Sequence, residues 1–367
     1  MEKNGLLYKI GLTLIPGVGD VLGRKLVNLC GSAEAVFRDP RRHLRKMPRI
    51  GDLLSEVVRG KELLSRAETE MHFIERYGIT PLFFRDKGYP NRLRHCADSP
   101  LMLYYKGTAN LDPAKVIGIV GTRNSTEYGK SATRMLTEGL AEQQVLVVSG
   151  LAYGIDSCAH RFALDAGLDT VGVLGHGLDT VYPWLNRPLA EKMLTQGGLV
   201  TEFISKTKPD RMNFPKRNRI IAGLCDAVIV VEAGRKGGAL ITADIANSYN
   251  RDVFAIPGRV TDPLSEGTNC LIRTNRAALV QSADDISYLM GWNAPYGPGV
   301  PVQRKIFTEL TEEEEKIVSI LREKGQTGID EICILAENTM SRVSAALLNL
   351  EFEGIVKCLP GKLYSLV

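Results

Sequence analysis

Apolar and polar positions along this 367-residue chain change rhythm twice. Up to about residue 80 the apolar positions fall at helical spacing between short turns. Leu12-Thr-Leu-Ile-Pro-Gly-Val-Gly19, followed by Val21-Leu-Gly-Arg-Lys-Leu-Val27, reads as a glycine turn entering a helix, with a weaker echo at Met47-Pro-Arg-Ile-Gly51. From about Val116 the rhythm becomes short β-branched runs separated by helical segments. Strands are predicted at 116–120, 145–149, 170–174, 198–201, 227–231 and 253–256, and helices at 129–143 and 158–166. Continuously apolar strands alternating with helices specify a mostly parallel, doubly wound α/β sheet.

The second change is Asn293-Ala-Pro-Tyr-Gly-Pro-Gly-Val-Pro301, where Pro and Gly make up five of nine residues, the composition of a linker. Beyond it Thr311 and Glu314 have capping-box spacing. Helices are predicted at 312–324, 328–336 and 339–353, then a hairpin around Pro360-Gly361. Three helices and a hairpin in so short a stretch resemble a winged helix, as the N-terminal glycine turn resembles a helix-hairpin-helix unit. The expected division is 1–80 helical, 81–292 sheet domain, 293–304 linker and 305–367 winged helix.

Composition adds compartment and partner. Hydrophobic content of 44% and charged content of 24% describe an ordinary globular chain. No apolar run approaches the ~20 residues needed to span a bilayer, and no signal-peptide core follows the N-terminus. Seven cysteines without a C-x-x-C pair suggest reduced thiols in a cytoplasm, and five histidines without an H-x-x-x-H pair give no zinc site. The net charge of +4 is unevenly spread: residues 305–367 hold seven Lys/Arg against eleven Asp/Glu, so they carry −4 and the remainder +8. A polyanion partner therefore belongs on the body of the chain.

The candidate chemistry sits in turns after strands, where ligands of open α/β sheets collect. Gly121-Thr-Arg-Asn-Ser125 offers close backbone approach, hydroxyls and the forked donor Arg123. Ser149-Gly-Leu-Ala-Tyr-Gly-Ile-Asp156 and Ala233-Gly-Arg-Lys-Gly-Gly-Ala239 are further glycine turns. Asn213-Phe-Pro-Lys-Arg-Asn-Arg-Ile-Ile-Ala-Gly223 places Lys216, Arg217 and Arg219 beside the ring of Phe214, a combination suited to a phosphate with a stacked base. Each feature alone is equally consistent with tight turn geometry or a solvated basic face; together they favour an anion site. Catalysis has little support. There is no G-x-S-x-G elbow and no Walker A run. Asp156 and His160, at i and i+4, read as a capping aspartate and a hydrogen-bonded histidine rather than parts of a triad. Glu202 and Glu232 follow strands and are the best candidates for a carboxylate pair in the cleft, with anchoring of Arg217 or Arg219 the favoured reading.

These turns, with Gly88-Tyr-Pro90, Val173-Leu-Gly175, Val181-Tyr-Pro183, Asn186-Arg187, Val231-Glu-Ala233 and Ala255-Ile-Pro-Gly258, resemble the DNA-processing protein A family (DprA, also called Smf) over nearly the whole chain. The resemblance implies an extended Rossmann-like sheet domain flanked by a helical (helix-hairpin-helix or SAM-like) N-terminal domain and a C-terminal winged helix. It further implies a non-enzymatic protein that binds single-stranded DNA, dimerises through the Rossmann domain and loads the RecA recombinase during natural transformation, with no cofactor, metal or membrane. Carried onto this chain, the DNA-binding residues would be Gly121, Thr122, Arg123, Ser149, Gly150, Tyr153, Asn186, Phe214, Lys216, Arg217, Arg219 and Gly238. The dimer contacts would be Leu271, Ile272 and Leu279. Tyr153, Cys225 and Gly238-Ala239 depart from the family pattern and put polar contacts to a phosphate in doubt there. Two rival readings stand beside it: a Rossmann-like nucleotide phosphoribohydrolase, whose glutamate-bearing glycine turn is absent here, and a duplex-DNA regulator, which the −4 C-terminal unit opposes.

Overall fold

A computed structural model describes residues 3–38, 61–292, 310–359 and 361–366. The N-terminal helices are α1 (Lys3–Thr13), α2 (Asp20–Cys30), α3 (Ala33–Arg38) and α4 (Lys61–Tyr77). The sheet domain follows as β1 (Thr80–Phe83), α5 (Asn91–Arg94), β2 (Met102–Gly107), β3 (Val116–Val120), α6 (Glu127–Gly139), β4 (Leu146–Ser149), α7 (Ile155–Asp165), β5 (Thr170–Val173), α8 (Arg187–Met193) and β6 (Gly197–Thr201). It continues through α9 (Asn213–Leu224), β7 (Ala227–Val230), α10 (Gly238–Ser248), β8 (Asp252–Ala255), α11 (Glu266–Arg273), β9 (Ala278–Leu279) and α12 (Ala283–Leu289). The C-terminal unit comprises α13 (Glu312–Lys324), β10 (Thr327–Gly328), α14 (Ile329–Leu335), α15 (Met340–Phe352), β11 (Val356–Leu359) and β12 (Leu363–Leu366).

Nine strands form one sheet in the order β1-β2-β6-β5-β4-β3-β7-β8-β9. The seven strands from β6 to β9 are parallel, and β2 joins β6 antiparallel. Strand residues alternate between two cores. Ile117, Ile119, Val147 and Ile229 pack with α6, α7 and α12. Val116, Val120, Val148 and Val228 pack with α9, α10 and the N-terminal helices. All five residues of β3 are buried, as a strand covered on both faces requires. The sequence missed β1, β2 and β9. Two of these are antiparallel additions at one margin of the sheet, β1 carrying Pro81, and β9 is a two-residue edge, so β1 and β9 lack the apolar run of a central strand, whereas β2 holds one in the buried Met102-Leu-Tyr-Tyr105.

The N-terminal helices share the larger core with the sheet rather than standing apart. Asp20, in the first turn of α2, accepts from the Leu101 backbone N–H at 2.8 Å and from Arg219 at 2.9 Å. The glycine turn before α2 therefore presents a carboxylate engaged with the sheet domain; the tight-turn reading of that motif is the one this geometry favours. The echo at 47–51 and the linker at 293–304 lie outside the described residues. The C-terminal unit has a core of its own, built on Ile317, Leu321, Ile332, Val343, Leu347 and Leu350. Thr311 and Glu314 form the expected capping box, and the hairpin spans β11 and β12. Among the described residues no helix is long and apolar enough to cross a membrane.

Leu271 is 1% exposed and belongs to its own domain's core, so it is not a surface contact as the sequence suggested. Ile272 is half-buried against the same core, whereas Leu279 on β9 is 46% exposed at the open edge of the sheet.

Candidate nucleic-acid interface

The strand order reverses direction beside β3: the chain builds β4, β5 and β6 on one side, then returns to place β7 on the other. Loops leaving the carboxyl ends of such neighbouring strands diverge and open a crevice. A cleft of about 630 Å³ lies there, lined by the loop after β3 (Gly121, Thr122, Arg123), the loop after β7 (Ala233, Gly234, Lys236, Gly237, Gly238), and the start of α9 (Phe214, Arg217, Asn218). Four cationic side chains line it, Arg123, Arg211, Arg217 and Lys236, against the single carboxylate of Asp156. Among the described residues Arg123, Arg211 and Lys236 enter no ion pair, and all three are exposed. The Arg123 guanidinium lies over the Phe214 ring at 5.5 Å, and the Tyr182 ring is 6.0 Å from that of Phe214.

The loop carrying Arg123 is fixed from three sides. Thr122 donates its N–H to the Glu232 carbonyl at 2.8 Å, and its own carbonyl accepts from Ile155 at 3.1 Å. Glu232, 2% exposed, accepts from the Thr126 N–H at 3.0 Å and from the Thr126 hydroxyl. Thr126 in turn caps α6 through Gly129. At Gly154 the backbone takes φ +75°, and a Cβ there would meet the Thr122 carbonyl at 2.2 Å, so only glycine lets the two loops touch.

Beneath the cleft floor lies a buried polar network. Arg217 is 5% exposed and donates to the carbonyls of Gly150 and Val173. Burial, partly offset by the Asp156 carboxylate, lowers its pKa to about 10. Asp156 accepts from the N–H groups of Gly150 at 3.2 Å and Ala152 at 3.4 Å, capping the approach to α7; burial raises its pKa despite Arg217. A Cβ on Gly150 would meet the Arg217 guanidinium at 2.1 Å. His160 Nδ1 is 2.7 Å from the Thr170 hydroxyl, which itself donates to the Val147 carbonyl. The hydroxyl thus accepts from His160 Nδ1–H, and burial lowers the imidazole pKa to about 3. Asp156 and His160 have the capping and hydrogen-bonding roles expected of them, and the hydroxyls beside them, Ser149 and Thr170, are buried and donate to the carbonyls of Ile119 and Val147.

The predicted site residues divide sharply. Gly121, Thr122, Arg123, Phe214 and Gly238 converge on the cleft, and Arg217 contributes from below. Ser149 is fully buried and donates to the Ile119 carbonyl at 2.6 Å. Gly150 is buried against Arg217. Asn186, 6% exposed, donates to the carbonyls of Leu151 and Ala152 and to the Ser157 hydroxyl. These three position loops. Arg219 bridges Asp20 and Glu202, with only 12% of its side chain exposed, and does not line the cleft. Lys216 and Tyr153 are exposed on neighbouring turns but outside the lining. Cys225, where a polar contact to phosphate was in doubt, is wholly buried among apolar residues and cannot reach one. Glu202 anchors Arg219 as expected, and burial lifts its pKa to about 7; Glu232 holds Thr126 instead of an arginine. Arg211 and Tyr182 were not singled out as binding residues, since neither their loops' sequence nor any periodicity marks where the loops fold back; Lys236 was not named as a binding residue, although the glycine turn after a strand that carries it was a candidate. Among the described residues no three His, Cys, Asp or Glu side chains cluster as a metal site.

Comparison with known proteins places this geometry. Residues 80–291 match the profile of the family described as DNA recombination-mediator protein A, and residues 308–362 that of the DprA winged helix domain. The Smf protein of Synechocystis is 33% identical with both chains covered in full. The crystal structure of DNA processing protein A from Streptococcus pneumoniae, at 32% identity, covers 74% of this chain and 98% of its own with a TM-score of 0.58. That of DNA processing protein A from Helicobacter pylori, described for its single-stranded-DNA binding mode, is 29% identical, covers 57% of this chain and 94% of its own, and has a TM-score of 0.52.

Proposed function

Because the chain belongs to the DNA recombination-mediator protein A family, we propose that its switch-point cleft binds single-stranded DNA with little regard for sequence. The observation that carries this is the Arg123 guanidinium lying over the Phe214 ring, a cation for the phosphate and a π-face for a base at one point. Cations and rings accept any base, whereas sequence readout needs several side chains aimed at base edges. In keeping with the family's description as recombination mediators, the bound strand would be handed to a RecA-type recombinase in the cytoplasm, as the uptake of DNA in natural transformation requires. The exposed β9 edge with Leu279 would pair two copies.

The role is binding rather than catalysis. Among the described residues Asp156 is the one carboxylate lining the cleft, and its Oδ2 accepts from the Gly150 and Ala152 N–H groups, which supports a capping role. The deciding experiment is an anisotropy titration of a fluorescent oligothymidine and a duplex of equal length, with Arg123→Ala beside the parent. Preference for the single strand and about a tenfold or larger loss in the variant are expected, as for a charge-assisted phosphate contact. Equal binding of both nucleic acids, or an unaffected variant, overturns the reading; release of free base from nucleoside monophosphates would favour the enzyme.

A further inference from the structure

We propose that Trp184 is a second stacking station, extending the single-strand path beyond the cleft along the segment from Tyr182 to Arg187. The proposal rests on the reading of the cleft as a single-strand site.

Trp184 is 65% exposed and its neighbour Leu185 75%, two and three residues beyond Tyr182, which lines the cleft. Leaving a large ring in water forfeits the hydrophobic gain of burial, so an exposed tryptophan on a rigid segment marks a surface that something else covers. The segment is rigid. Asn186 sits beneath it and is spent on three hydrogen bonds to Leu151, Ala152 and Ser157, which fasten it over the loop after β4. The backbone that carries the ring is therefore held in place before binding, which lowers the ordering cost.

Position and charge identify the occupant. Tyr182 bridges the two stations: its ring is 6.0 Å from Phe214, and Trp184 is two residues further on, at most about 7 Å along an extended backbone. The Arg187 guanidinium lies over one face of the Trp184 ring at 4.8 Å, leaving the other face for a base. Arg187 also pairs with Glu191 at 2.9 Å, which holds its side chain in that orientation. Aromatic stacking platforms flanked by cations are how single strands are held without base-edge contacts. A protein partner would meet the same apolar surface, but the alternation of ring and cation, continuous with Arg123 over Phe214, fits a polyanion with flat bases.

The test uses the full chain and oligothymidines of increasing length. Trp184→Ala should weaken a 20-mer by about fivefold or more, and Trp184→Phe should restore most of that loss. The chain has two tryptophans, so in a Trp292→Phe background emission comes from Trp184 alone, and the single strand should quench it. Trp184→Ala that binds every length as the parent does, with no quenching, overturns the proposal and leaves the ring as a protein contact. If the parent binds single strands and Arg123→Ala weakens them while Trp184 is silent, the cleft reading stands and this extension alone fails. If the parent binds no single strand, both fail.

Discussion

Glu232 and Thr126 lie 106 residues apart and are joined twice, the carboxylate accepting from both the backbone N–H and the hydroxyl of the threonine. Through that pair the end of β7 sets the position of the loop that carries Arg123. Glu232→Ala would orphan the Thr126 N–H at 3.0 Å and release the loop. The expected outcome is a loss of about 1.5–3 kcal/mol in urea unfolding together with weaker single-strand binding. A variant as stable as the parent would show that the loop holds itself.

Lys216 and Arg217 are adjacent in sequence and should behave oppositely. Lys216 is exposed, so Lys216→Ala should leave the unfolding midpoint unchanged and reduce the salt dependence of DNA binding. Arg217 is buried and donates to the Gly150 and Val173 carbonyls, so Arg217→Met should cost about 1–3 kcal/mol of stability by leaving buried acceptors without their donor. Comparing both variants by urea denaturation and by binding at two salt concentrations separates the roles.

Acid should destabilise the fold through His160. Burial depresses its pKa from 6.5 to about 3, so below pH 6.5 the unfolded chain binds a proton that the folded chain refuses. The contribution is intact above pH 6.5 and is lost progressively as pH falls towards 3. His160→Gln removes this linkage. Relative to the variant, the parent should lose up to about 1.4 kcal/mol per pH unit across that window. Parallel pH profiles of the two unfolding midpoints would expose the error if there is one.

At the sheet edge, Leu279→Glu should yield a monomer by light scattering without loss of fold, because the side chain is 46% exposed. Leu271→Ala should instead cost about 2–5 kcal/mol, since Leu271 belongs to the core. A Leu279→Glu protein that remains dimeric would place the interface elsewhere.

The C-terminal unit should be dispensable for single-strand binding. It has its own core, and it touches the sheet domain through polar contacts such as Glu331 with His95 at 3.6 Å and Lys362 with Asn250 at 3.1 Å. Its first helix opens with four consecutive glutamates, which repel phosphate. Removing 303–367 should change the affinity for a fluorescent single strand by less than about threefold. A larger fall would show that charge misled here.

The elements written in the sequence are those whose signal is local. Apolar β-branched runs marked the parallel strands because both of their faces are covered, and Thr311 with Glu314 marked the start of α13 because a capping box is complete within four residues. Arg123 was legible for the same reason, as a forked cation in a glycine turn directly after a strand. The fates of Lys216, Arg217 and Arg219 were not. Three cations within four residues look alike in sequence, yet the first faces water, the second is buried on the Gly150 and Val173 carbonyls, and the third is claimed by Asp20, 199 residues away. Trp184 likewise carries no local signal of its exposure; the hydrogen bonds of Asn186 fix its segment on the surface. Local pattern decides which element forms. Which side chain is free to meet a ligand depends on partners that only the folded chain brings within bonding distance.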